Sequence, residues 1–255
     1  MFKRSLACLT VIAAVGLAIP YNQSVTAQQP AAPPARPTPR TQATLDLTGY
    51  WVSFVTEEWR WRMVTPPKGD FISVPLTEEG RRVAGLWDPA TDGACQTYGA
   101  VGVMHIPGRL HITWEGDDVL KVDFDAGQQT RRLQFAPKGQ PGPKSLQGYS
   151  VAEWEPVGGP NSGGGGRGGA VDLALKVQTT NLSEAWLRRN GVAYSDETSL
   201  TEYWDRVTFP NGDSWLTVSQ YVRDPKYLTG EYTTSMHFKL EPDGSKFKPT
   251  PCRQI

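Results

Sequence analysis

Apolar residues in this 255-residue chain recur mostly at every second position rather than every third or fourth. Leu110, Ile112 and Trp114 alternate with polar neighbours, as do Leu120, Val122 and Phe124. The runs are separated by turn chemistry at Pro107-Gly108, Gly116-Asp117-Asp118 and Ala126-Gly127. Side chains on a strand point alternately to opposite faces, so this pattern predicts an antiparallel meander across residues 102–135, buried on one face. The same reasoning predicts strands over 50–56, 58–64, 146–154, 173–180, 199–209, 214–222 and 232–240. Pro66-Pro67-Lys68-Gly69-Asp70 ends the early pair, and Asn211-Gly212 joins a hairpin. Helical spacing is confined to two stretches. Residues 76–87 have Thr77 as a cap and Val83, Leu86 and Trp87 on one face; residues 181–190 have Ser183 as a cap, Trp186 and Leu187 on the apolar side, and Gly191 as a stop.

Roughly nine or ten strands in continuous up-and-down order close most economically into a barrel, because closure removes exposed edges. The predicted fold is therefore an all-β, antiparallel up-and-down barrel with one or two short helices. Nine tryptophans, 26 glycines and 21 prolines suit a sheet-and-turn architecture with an aromatic interior. The 26 lysines and arginines balance the 26 aspartates and glutamates, which leaves no electrostatic reason to expect nucleic acid as a partner.

At the N-terminus, Lys3 and Arg4 precede an apolar run from Leu6 to Ile19, and the small-x-small pattern Val25-Thr26-Ala27 follows. This reads as a signal peptide over residues 1–27, with a lipid-modified Cys8 as the alternative. Residues 28–43 are proline-rich and lack an apolar period, so an extended tether is expected there, followed by one domain over 44–255. The glycine run within 157–170 lacks the lysine and the strand-to-helix context of a phosphate loop and is expected to be a flexible loop. No later segment is long and apolar enough to span a bilayer as a helix, so a periplasmic or secreted protein, off the membrane once the signal is removed, is expected. Cys95 and Cys252 remain as a pair, which in an oxidising compartment is most simply a disulfide. A zinc site or a reactive thiol are the other readings.

Leu47-Thr48-Gly49-Tyr50-Trp51 resembles the Gly-x-Trp signature that opens the first strand of lipocalins and related calycin barrels. The resemblance implies a barrel with the tryptophan closing its floor beneath a basic side chain from a late strand, for which Arg206 and Lys239 are candidates. The chain is also similar to secreted bacterial proteins of unknown function through residues 46–70, 200–203 and 224–227, which implies no activity.

Candidate chemistry falls in three places. In Glu57-Glu58-Trp59-Arg60-Trp61-Arg62, a strand would place Trp59 and Trp61 on one face and Arg60 and Arg62 on the other. That makes either a stacking wall or a pair of guanidinium forks for a carboxylate or sulfate. The alternative is ordinary core tryptophans with arginines paired to Glu57 and Glu58. In the strand 200–206, Glu202, Trp204 and Arg206 share one face and Tyr203 and Asp205 the other. An inward Glu202–Arg206 pair could work with His111 or His237 as acid and base, whereas an outward pair would be a solvated ion pair. His105, His111 and His237 could in principle hold a metal, but their spacing does not support one, and neither metal nor cofactor is expected. No Gly-x-Ser-x-Gly elbow is present.

Three functions fit these observations. The first is an exported protein that binds a small apolar or aromatic molecule in a barrel cavity, with Trp59, Arg60, Trp61, Arg62, Trp114, Tyr203 and Trp204 as candidate contacts. The second is a cofactor-independent isomerase, lyase or hydrolase using Glu202, Asp205, Arg206, His111 and His237. The third is a scaffold without a ligand.

Overall fold

The computed structural model describes residues 36–137, 139–156 and 173–254. The expected signal peptide, most of the tether and the glycine-rich loop lie outside them. Nine strands close into a barrel: β1 (Gly49–Ser53), β2 (Arg109–Glu115), β3 (Val119–Phe124), β5 (Thr130–Gln134), β6 (Tyr149–Pro156), β7 (Leu173–Thr180), β10 (Ser199–Thr208), β11 (Ser214–Arg223) and β12 (Tyr232–Glu241). Strand β4 (Ala126–Gly127) pairs with β13 (Thr250–Pro251), and β8 (Ala185–Arg188) with β9 (Val192–Tyr194), outside the barrel. The helices α1 (Pro39–Gln42), α2 (Trp59–Arg62) and α3 (Glu78–Ala84) are short.

Barrel strands neighbour one another in chain order, and every pairing is antiparallel except β5 with β6. That exception follows from arithmetic: directions can alternate around a closed ring only when the number of strands is even, so nine strands require a parallel junction. The uniformly antiparallel barrel expected from the sequence is corrected at this point. Because β5 and β6 run parallel, the connection between Gln134 and Tyr149 has to return the chain to the mouth before β6 begins.

The pleat sorts residues as the alternation predicts. Leu110, Ile112, Leu120, Val122, Leu133, Ala152, Leu175, Val177, Trp204, Leu216, Val218, Met236 and Phe238 form one buried cluster inside the barrel. Nearer the end where β1 finishes, called here the mouth, the inward positions turn polar: Arg131, Ser150, Thr179, Glu202, Gln220 and Thr234, all buried. At the opposite end, the floor, Trp51 is fully buried and the Arg206 guanidinium lies 5.5 Å from its ring centroid. Trp114, Phe135 and Trp154 pack in series there, with centroid separations of 5.5 and 5.3 Å. The Trp154 indole donates to the Pro39 carbonyl, so the described end of the proline-rich stretch is a helical turn seated on the barrel rather than an extended tether.

The mouth is covered by the long connection from Phe54 to Gly108 and by the β8–β9 hairpin. Their apolar side chains, including Val74, Leu76, Ala100, Val101, Leu187, Val192 and Tyr194, form a second core. Within the connection, the 3₁₀ turn Val103–His105 enters the barrel as a plug: Val103 and Met104 join the barrel cluster, and His105 meets the polar layer. Gly102 starts this turn because a Cβ there would meet the carbonyl oxygens of Trp186 and Thr97 at 2.4 and 2.5 Å. Cys95 and Cys252 are joined by a disulfide, which ties this cap to the C-terminal tail.

Three predicted elements differ. Residues 59–62 form a helical turn instead of a strand: Arg62 N–H donates to Glu58 O at 3.0 Å and Met63 N–H to Trp59 O at 2.9 Å. No β-branched residue lies between Glu57 and Met63 to oppose the turn. Residues 102–106 hold the plug turn, so Pro107-Gly108 joins no hairpin. Residues 181–190 hold β8 instead of a helix, because Asn190-Gly191 serves as a hairpin turn. Gly191 has φ +79°, and a Cβ there would lie 2.2 Å from that of Trp87, so the turn and its packing both require glycine. Helix α3 forms where expected, with the Thr77 hydroxyl accepting from Gly80 N–H.

Candidate functional site

The polar layer and the cap meet at the mouth. Glu202 Oε1 accepts Arg131 Nη1 at 3.0 Å, and Oε2 accepts Nη2 at 2.5 Å, with neither side chain exposed. Thr179 Oγ1 accepts a further bond from Arg131 Nη2 at 3.2 Å. Gln220 Nε2 donates to Glu202 Oε1 at 2.9 Å, and its carbonyl oxygen lies 3.2 Å from His105 Nε2. His105 Nδ1 in turn stands 3.6 Å from Glu58 Oε2. A continuous line of polar groups therefore runs from the barrel interior to the cap. Among the described residues Arg131 Nε has no partner, but both Nη groups and the Glu202 carboxylate are engaged, which is what makes a buried charged pair tolerable.

Glu58 is the hub of the cap side. It caps α2 with a left-handed backbone, φ +49°, an unusual conformation for a glutamate. Its Oε1 accepts Tyr232 Oη at 2.9 Å and Arg188 Nη2 at 3.2 Å, and its Oε2 accepts Thr234 Oγ1 at 3.0 Å. Burial alone would raise its pKa. The bonds and charges of His105, Tyr232 and Arg188 outweigh this and hold the carboxyl well below the usual carboxylate range. Burial, reinforced by the Glu58 charge, pushes the Tyr232 phenol up.

Next to it, Glu57 accepts Arg62 Nη1 at 2.6 Å and pairs with His237 Nδ1 at 2.9 Å. Its pKa too is lowered against the effect of burial, by Thr56, His237 and Arg62. Arg62 is 2 % exposed and also donates from Nε to the His105 carbonyl. Burial lowers its pKa, and the neighbouring Glu57 and Glu58 oppose that shift. Arg189 Nη2 donates to the Arg62 carbonyl, and Arg188 stacks over Trp61 at 4.5 Å. Together Trp61, Arg62, Thr97, His105, Arg188 and Arg189 wall a recess of about 10 Å³, the room of about one water. Among the described residues, Arg62 Nη2, Arg189 Nε and Thr97 Oγ1 on these side chains have no hydrogen-bond partner.

The candidate residues are only partly brought together. Trp59 is 65 % exposed and Arg60 pairs with Asp70, so the expected Trp59–Trp61 wall and Arg60–Arg62 fork do not form. Arg62 does pair with Glu57, as the alternative reading has it. Glu202 and Trp204 face inward and Tyr203 and Asp205 outward, as parity requires. Glu202, however, takes Arg131 in place of Arg206, and Gln220 and His105 in place of His111 or His237. Trp114 belongs to the floor, away from the recess. His111 lies flat on Tyr50, with centroids 4.0 Å apart, and burial lowers its pKa. The three histidines stay apart, and among the described residues no three His, Cys, Asp or Glu side chains are grouped to hold a metal ion.

The residues missed from the sequence are Arg131, Gln220, Thr97, Arg188, Arg189 and Tyr232. Three were legible: Arg131 shares parity with Leu133, Gln220 with Leu216, Val218 and Val222, and Tyr232 with Met236 and Phe238, so all three occupy inward positions. Comparison with protein-family models, with curated proteins and with solved structures finds no match.

Proposed function

We propose that the protein is an extracytoplasmic small-molecule-binding protein whose ligand is held at the capped mouth of the barrel, not in its packed interior. The observation that carries this reading is the recess at the mouth, where the side chains of Arg62, Arg188 and Arg189 gather with Glu58. Arg62 Nη2 and Arg189 Nε, on residues that line it, have no hydrogen-bond partner among the described residues, and buried polar groups are ordinarily satisfied, which supports a guest with acceptor atoms. Trp61, Ile106 and Leu187 add apolar side chains to the same lining, as small-molecule sites usually have. Among the described residues, the floor half of the barrel is filled by side chains, which moves the expected ligand position to the mouth. Export is supported by the signal-like N-terminus and by the Cys95–Cys252 disulfide, a bond that persists in oxidising compartments. The place of Arg206 over Trp51 supports grouping the barrel with the calycins.

A second reading, cofactor-independent acid–base catalysis, is favoured by the His237–Glu57 pair. With Nδ1–H donating a hydrogen bond to the Glu57 carboxylate, the neutral ring presents the lone pair of Nε2 as a base. Native mass spectrometry of protein purified gently from the exported fraction separates the two. A co-purifying organic molecule in the wild type, depleted in Arg189→Met, supports binding. A bare wild-type mass, with thermal midpoints unmoved by a panel of organic acids, overturns it. Turnover abolished by His237→Gln with ligand retention intact would establish the second reading.

A further inference from the structure

We infer that His105 is a pH-operated latch: as an imidazolium it fastens the plug between barrel and cap, and loss of its Nδ1 proton frees the plug. Gly102, His105 and Ile106 line the mouth recess, so an open plug would also open the proposed binding site. That consequence rests on the binding reading; the latch itself does not.

The protonation state follows from what each ring nitrogen faces. Glu202, ionised in its pair with Arg131, can only accept, so the Gln220 amide that donates to it at 2.9 Å must turn its oxygen the other way. That oxygen lies 3.2 Å from His105 Nε2, which therefore carries a proton. A neutral ring has no second proton, and its Nδ1 would turn a lone pair toward Glu58 Oε2 at 3.6 Å. Glu58 has none to give, since its carboxyl is held well below the usual carboxylate range. Protonation of Nδ1 converts this repulsion into an ion pair, and with His105 only 6 % exposed, water screens it little.

Burial on its own opposes the charge, so the surrounding groups decide. Arg62, whose Nε bonds the His105 carbonyl, is matched by Glu57, and Arg131 is matched by Glu202. Tyr232 meets Glu58 as a neutral phenol that donates to Oε1. Arg188 bonds that same Oε1 and leaves the Oε2 contact to His105, while Arg189 bonds the Arg62 carbonyl. The positive charges of Arg188 and Arg189 work against that of the ring and keep its second proton removable.

Nitrogen NMR of the His105 ring in the full mature chain tests this without any variant. Both nitrogens should be protonated at about pH 5, and the ring should pass to the Nε2–H tautomer by about pH 8. The closed plug then binds one more proton than the open plug, so opening is favoured as the pH rises. Hydrogen exchange reads that opening at the His105 and Ile106 amides, which bond the Gly102 and Val103 carbonyls. Corrected for intrinsic exchange, opening should increase by up to about tenfold per pH unit, the limit for one linked proton. His105→Gln keeps an N–H for Gln220 but carries no charge, so its plug should open equally across the range. A ring that keeps one protonation state throughout, or wild-type opening as flat as that of the variant, overturns the latch. If His105→Gln does not fold, the ring spectra and wild-type exchange decide alone. A bare mass in the ligand search overturns the binding reading and leaves the latch standing.

Discussion

Arg131 and Glu202 form a two-point ion pair inside the barrel, at 3.0 and 2.5 Å, with no exposure of either side chain. Strands β5 and β10 are separated in the ring by β6 and β7, so the pair reaches through the interior and ties non-adjacent strands beneath the cap. Its partners Thr179 and Gln220 leave the carboxylate fully engaged, and the pair extends through His105 to Glu58.

Glu202→Gln removes the negative charge with little change of shape and strands the Arg131 guanidinium. A loss of about 3–5 kcal/mol is expected in urea unfolding. The double substitution Arg131→Met/Glu202→Leu should recover most of it, because paired apolar replacements remove both desolvation penalties. Near-additive losses in the double variant would show that the pair is not the energetic unit.

Acid should weaken the cap first. Glu58 has its folded-state pKa held below the usual 4.5, so its contribution is complete above that value and is lost as the pH falls below it. Glu57 shifts in the same direction. The destabilisation caused by Glu58→Gln should therefore be largest near neutrality and shrink between about pH 5 and pH 3. Denaturant midpoints of both proteins across that range check this; a constant difference would sink it.

Alkali should weaken the other side of the same contact. Tyr232 and Tyr194 are buried, with phenol pKa values raised above the ordinary 10.0, so both favour the folded state below that value. Stability should decline as the pH rises past about 10, and Tyr232→Phe should flatten part of that decline.

Reduction should loosen the cap and tail. The disulfide separates its cysteines by 157 residues, and the chain-entropy account assigns a loop of that length about 5 kcal/mol. Cys252→Ala should lower the unfolding midpoint and open the 54–108 connection to limited proteolysis before the barrel strands. Unchanged proteolysis and midpoint would show that packing alone holds the cap.

Trp59 and Trp61 should behave oppositely despite their spacing. Trp59 is 65 % exposed, so Trp59→Ser should change stability by no more than about 0.5 kcal/mol. Trp61 stacks beneath Arg188 and donates to Asp70, so Trp61→Ala should cost about 1–2 kcal/mol and loosen the recess.

Local pattern alone determined most of the barrel. Strands 173–180, 199–209, 214–222 and 232–240 lie within a residue of where alternation places them, because a half-buried strand writes its two faces directly into the sequence. Parity also put Glu202 with Trp204 on one face and Tyr203 with Asp205 on the other, while the fold decided that the first pair points inward. Cys95 and Cys252 were legible as a pair by elimination. The Trp-Arg-Trp-Arg alternation misled, since side-chain type repeats every second residue there while the backbone turns helically about Glu58.

Only the tertiary structure decided the partners. Arg62, Thr97, His105 and Arg189 come from the long connection and a distant hairpin, and nothing in their spacing says that they share one recess. Arg131 and Glu202 meet because the strands close into a ring of nine, whose one parallel junction falls between β5 and β6. A strand's sequence encodes which of its faces is buried. The identity of the group across the barrel depends on strand number, closure and the cap, which are properties of the whole chain.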